Sequence, residues 1–192
     1  MKYRTIKRET GFILLAVSAA VGIAFGAVWA AKGQLTESPW LHQYFIPTVR
    51  GESLFVSFLH TALSALIFLL AVFLVGTSAA GQPTALALMA YRGFGAGFSA
   101  AVVYDTLGLK AVPAVLVHIL PKAAGMLIIA VFAVREALRC SCGLACFFAK
   151  GESGDGASLG LYAVRFIVLA VISILLSAAD TALNSLFGSL LR

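Results

Sequence analysis

Residues 11–31 read GFILLAVSAAVGIAFGAVWAA, a run without a single charge. As a helix rising ~1.5 Å per residue, such a run crosses the ~30 Å hydrocarbon core of a bilayer. Lys2, Arg4, Lys7 and Arg8 precede it. A basic start before an apolar run can also be a secretory signal peptide. This run is long for one, and Trp29 stands where a small-residue cleavage site would fall. The expectation is an uncleaved first membrane helix.

The rest of the chain has the same character. Apolar residues make up 61% of the 192 and charged residues only 11%, whereas soluble domains carry about a quarter charged. A soluble chain of this length could not hide that much apolar surface, and lipid can accept it. The formal net charge of +6 would suggest nucleic acid in a soluble protein. Here the basic residues flank apolar runs, where topology and anionic headgroups account for them, and no nucleic-acid partner is expected.

Four further spans follow. Leu54–Gly76 is interrupted only by Ser57, His60, Thr61 and Ser64. A turn over Gly76–Pro83 leads into Thr84–Tyr104, and Pro83 suits a helix start, where its missing N–H costs little. The fourth span is Val112–Val134, with His118, Pro121 and Lys122 inside it. The fifth is Leu161–Ser177, continued by an amphipathic tail, Ala178–Arg192. Residues 32–53, with Trp40, Tyr44 and Phe45, suit the headgroup level. Asp105–Lys110 reads as a short loop. Residues 135–160 read as polar and loop-like, and 151–156 as a flexible Gly-rich stretch. The fold class is therefore all-α: a single polytopic membrane domain of about five helices.

With the N-terminus inside, the inner segments hold Lys2, Arg4, Lys7, Arg8, Arg135, Arg139 and Lys150. The outer ones hold Lys32, Arg50, Lys110 and Arg192. The excess of basic residues inside favours a cytoplasmic N-terminus in a bacterial cell membrane. Cys140, Cys142 and Cys146 then fall on the reducing side, which agrees with the lack of any distant cysteine to pair with. Three thiols without a nearby histidine do not complete a zinc site, so no metal or other cofactor is expected.

Polar residues inside spans are costly and mark candidate sites. These are His60, Arg92, His118, Lys122 and Asp180, with carbonyls freed at Pro121. His118 and Lys122, four apart, share a helix face. Together they could line a proton or solute path, or simply hold helices together. Gly22 with Gly26, and Gly93 with Gly97, each put two glycines on one face, the spacing that lets helix backbones approach closely. That packing could be within the chain, with a second copy or with another protein. No catalytic triad, carboxylate pair or HExxH motif is present, and no enzymatic activity is expected.

The stretch from Phe73 through Gly76, Gly81 and Pro83, then Tyr91-Arg92-Gly93 to Gly97-Phe98-Ser99, resembles the stage II sporulation protein M family. In that pattern a helix ends in Leu-Gly-x-Ser, turns at Gly-x-Pro, and runs on into a basic residue followed by Gly-x-x-x-Gly-Phe-Ser. Ile119-Leu120-Pro121 and Asp180 extend the likeness more loosely, over roughly residues 54–190. Lys122 and the Cys140–Cys146 cluster depart from it. The resemblance implies a scaffold that holds cell-wall (peptidoglycan) hydrolases at the septal membrane during engulfment. Partners would then dock on the glycine faces and on residues 32–53. The alternative is a small permease or exporter subunit using the polar residues as a path.

Overall fold

The computed structural model describes residues 2–32, 54–78, 81–107, 120–150 and 159–187. They form five helices: α1 (Lys2–Ala31), α2 (Leu54–Gly76), α3 (Gly81–Leu107), α4 (Leu120–Lys150) and α5 (Leu159–Phe187). No strand occurs among the described residues. Four stretches are long and apolar enough to cross a membrane: Gly11–Ala31, Phe58–Gly76, Gly81–Val102 and Gly160–Leu183. The chain is an all-α polytopic membrane protein, as its composition requires.

The outward faces agree. On α2, Leu59, Leu63, Ile67, Leu70 and Leu74 recur at helical spacing and are exposed; α5 exposes Val164, Ile167, Val168, Val171 and Leu175. In water an apolar surface of this extent would drive association. In a bilayer it is the lipid-facing side.

Because lipid tails are as apolar as leucine, burying leucine cannot hold membrane helices together, and close backbone packing takes its place. The α1–α3 pair shows this directly. A Cβ on Gly22 would strike the carbonyl of Ala90, and one on Gly26 that of Phe94. In return, a Cβ on Gly93 would strike the carbonyl of Ala19, and one on Gly97 that of Ile23. As the numbers rise on one helix they rise on the other, so the two helices run parallel. Ser18 Oγ donates to the Leu86 carbonyl (2.8 Å), one turn before Gly22. The glycine faces left open between internal and external packing are thus occupied within the chain.

On the other side of the α2–α3 hairpin, α2, α4 and α5 enclose the core. Phe68, Leu69, Val72, Met89, Ile129, Val134, Tyr162 and Phe166 pack there. Phe73 lies against Tyr162 and Phe166, with ring centroids 5.0 and 5.3 Å apart. This pairs the end of α2 with the start of α5, so those helices are antiparallel.

Several boundaries differ from the sequence reading. The helix of α1 starts at Lys2, well before the apolar run. Helix α3 opens at Gly81, which places Pro83 in its first turn and Asp105 in its last rather than in a loop. Residues 135–150, read as loop, continue α4. They stay helical because Ala137, Cys140 and Ser141 are buried and Glu136 pairs with Arg165 of α5. Residues 32–53 have only Lys32 within the described residues, and the first half of the expected span 112–134 lies outside them.

Gly97→Ala sets a Cβ against a backbone carbonyl that cannot swing away. It is expected to cost ~1–3 kcal/mol, the usual range for overpacking. Gly11→Ala, where nothing lies within 4 Å, is expected to be neutral or slightly stabilising. Thermal unfolding of the two variants in mild detergent checks the contrast.

Candidate functional site

The buried face of α5 changes character along its length. Tyr162 and Phe166 form its start; about two to four turns on come Ser173, Ser177 and Asp180, at 1%, 0% and 8% exposure. Their spacing of four and three residues keeps them on one face. Ser173 Oγ donates to the Leu169 carbonyl (2.9 Å), Ser177 Oγ to Ser173 (2.9 Å) and Thr181 Oγ1 to Ser177 (3.0 Å). Each hydroxyl is satisfied by its own helix, which makes a polar stripe tolerable in the interior. Among the described residues no buried side-chain nitrogen or oxygen lacks a hydrogen-bond partner.

The register set by Phe73 on Tyr162 and Phe166 carries to the far end of the pair. There it brings the small buried residues Ala62 and Ala65 of α2 opposite the serine half of α5. It also puts His60 and Asp180 within about one helical turn of the same level. His60 is exposed, and both groups are engaged by neighbours. Asp105 is exposed near the end of α3. Arg92 sits on α3, half-buried, its guanidinium carbon 5.5 Å from the centre of the Phe68 ring. That contact is cation–π in kind and shelters the charge on an aromatic face.

The predicted polar set is therefore only partly assembled. His60 and Asp180 share a level, and Arg92 is engaged on Phe68. Pro121 and Lys122 are in the first turn of the described part of α4, but their side chains, like all of His118, lie outside the described residues. The face shared by His118 and Lys122 falls there too.

A second polar cluster lies at the opposite end, where α2 runs into α3. Gly76 gives it room. A Cβ there would collide with the Tyr162 hydroxyl and lie 2.9 Å from Ala137. Tyr162 donates to the Phe73 carbonyl (3.0 Å) and Ser141 to the Ser78 carbonyl (2.7 Å). The first satisfies a carbonyl in the last turn of α2, where the ladder within the helix runs out; the second ties α4 to the turn beyond α2, where the Ser78 carbonyl also accepts from the Gly81 N–H (3.1 Å). Glu136 accepts from Arg165 across to α5, and from Arg139 one turn along α4 at 3.3 Å. Nearby, Gly81 packs against the Val75 carbonyl, which closes the turn. Sequence reading passed over Ser141, Ser173, Ser177, Tyr162, Glu136 and Arg165. The spacing of Ser173, Ser177 and Thr181 was the available signal.

Cys140 is buried and Cys142 exposed. Burial pushes the Cys140 thiol above its usual range. Among the described residues no three His, Cys, Asp or Glu side chains group as metal ligands do. No protein-family model, curated protein or solved structure matches the chain.

Two outcomes follow from this geometry. Tyr162→Phe removes one buried hydrogen bond and is expected to lower stability by ~1 kcal/mol. In a Cys146→Ser background, maleimide at neutral pH is expected to modify Cys142 quickly and Cys140 slowly, because the higher thiol pKa leaves less thiolate. Peptide mapping by mass spectrometry reads the order.

Proposed function

We propose that the protein is a membrane scaffold that positions peptidoglycan hydrolases at the septal membrane during engulfment. The observation that carries this is where the family-like residues lie. Gly76, Gly81, Gly93 and Gly97 are each points where another backbone or a buried ring sits against the chain. The α2–α3 hairpin that bears the resemblance is thereby packed on both sides, with α1 against α3 and with α4 and α5 against α2. A closely packed bundle with broad apolar faces on α1, α2 and α5 suits a protein that holds others in place. The glycine faces are filled internally, so the docking surfaces in this reading are those outer faces and residues 32–53. The N-terminus is cytoplasmic.

The test is affinity isolation of the tagged protein from its own host during spore formation, in mild detergent. Wall hydrolases in the eluate, absent from a control with an unrelated membrane protein, are the expected result. Their absence counts against the scaffold. For orientation, a membrane-impermeant maleimide is expected to reach Cys142 in inverted vesicles and not in intact cells.

One observation favours a second reading, a small permease: the buried stripe ending in Asp180, with Arg92 on the neighbouring side of the core. It predicts altered proton flux, read by an enclosed pH-sensitive dye, for Arg92→Gln, Lys122→Gln or Asp180→Asn in proteoliposomes. Unchanged flux across all three removes it.

A further inference from the structure

The ion-pair cluster joining α4 to α5 has more positive charge than it uses. Glu136 is one carboxylate, 19% exposed, and it serves two guanidiniums, Arg139 at 62% and Arg165 at 41% exposure. One carboxylate balances one of them. Arg135, half-buried, adds a further positive charge beside them on α4. A guanidinium has five N–H donors in a fixed fork that suits phosphate, so the exposed sides of these arginines have donors left over.

Depth and surroundings point to what takes them. Gly76, at the end of the apolar span of α2, lies against Ala137 and Tyr162. Glu136 is therefore at the level where the apolar region of α2 stops, and Arg165, paired with it, lies between one and two turns inside the Gly160 end of the α5 span, from where its long side chain reaches that level. Towards mid-membrane from the arginines, both helices turn apolar on the same stripes. On α4, Ile128 and Phe132 precede Glu136 and Arg139 at spacings of four, four and three. On α5, Val168 and Ile172 follow Arg165 at spacings of three and four. All four apolar residues are 45–57% exposed. Paired arginines at the interface with two apolar tracks beneath them match the two parts of one molecule.

We propose that this α4–α5 face is a binding site for an anionic phospholipid. Its phosphate sits on Arg139 and Arg165, and its acyl chains lie along Ile128 and Phe132 and along Val168 and Ile172. Basic clusters between membrane helices at the headgroup level bind such lipids through charge, and the acyl contacts add to it. Glu136 sets the occupancy by competing with the phosphate for the arginines. The site rests on the membrane placement of the helices and is independent of the scaffold reading.

The experiment is native mass spectrometry of the purified protein in mild detergent, titrated separately with phosphatidylglycerol, cardiolipin and phosphatidylcholine. Wild type is expected to retain the anionic lipids and release phosphatidylcholine. Arg139→Gln, which leaves the cross-helix pair in place, is expected to weaken retention about five-fold, and adding Arg165→Gln to weaken it further. Glu136→Gln is expected to strengthen retention, although it breaks the same ion pairs. Lys32→Gln, at the other end of α1, is expected to change nothing. A purely structural role for the cluster predicts that Glu136→Gln and the arginine variants change retention in the same direction or not at all. Either result overturns the proposal, as does equal retention of phosphatidylcholine or displacement of the lipid by millimolar inorganic phosphate.

Discussion

The contact on which the rest of the bundle depends is the seam between α1 and α3. At four places along it a helix backbone lies where a Cβ would otherwise be. A bilayer gives helices no hydrophobic reason to prefer each other over lipid, so attraction must come from many close atomic contacts and from groups that lipid cannot satisfy. Glycine supplies the first by removing the side chain between two backbones. The parallel run of α1 beside α3 then buries Leu15 and Ala19 against Ala85 and Met89. Those residues join the core shared with α2 and α4. Without the seam, α1 would have little else to hold it, since its other packing is slight and confined to α4.

The second side of the bundle is fastened differently. There polar groups also join the helices: Tyr162 to Phe73, Ser141 to Ser78, Glu136 to Arg165. All three lie at one end, where helix termini leave carbonyls unpaired and water or headgroups are near. The far end of α5 solves the same problem inside a single helix, each hydroxyl bonded to a carbonyl one turn back. Such bonds satisfy polar atoms without joining helices. The stripe of Ser173 and Ser177 thus marks polarity in the interior without supplying adhesion.

The helical class and four of the spans were legible because an uninterrupted apolar run of about twenty residues has few other uses. The glycine pairs were legible as close-packing faces, but spacing along one helix says nothing about which helix fills the gap. Only the matching offset between residues 19–26 and residues 90–98 resolves that, and it is a property of the folded pair. Residues 135–150 were misread because charge and Gly143 look like a loop when counted alone. Two of those charged residues, Glu136 and Arg139, form an i, i+3 pair that supports a helix, and the partner of Glu136 on α5 is 29 residues away. The serines of α5 were passed over because single hydroxyls in an apolar run cost little. Their burial depends on how α5 packs in the bundle, which no local pattern records.

The two kinds of fastening differ in what can disturb them. The α1–α3 seam is made of backbone and small side chains. Its α1 side carries no ionisable group between Gly11 and Ala31, and on the α3 side Arg92, next to Gly93, lies on the Phe68 ring of α2. The α4–α5 joint includes a partly exposed ion pair, whose strength falls as ionic strength rises and whose arginines are open to any anion at the same depth. Sensitivity to salt and to anions therefore belongs to the joint between α4 and α5. The hairpin of α2 and α3 sits between the two sides. A change in how α5 leans on α2 would be felt at Phe73 and Gly76, next to the turn that joins α2 to α3.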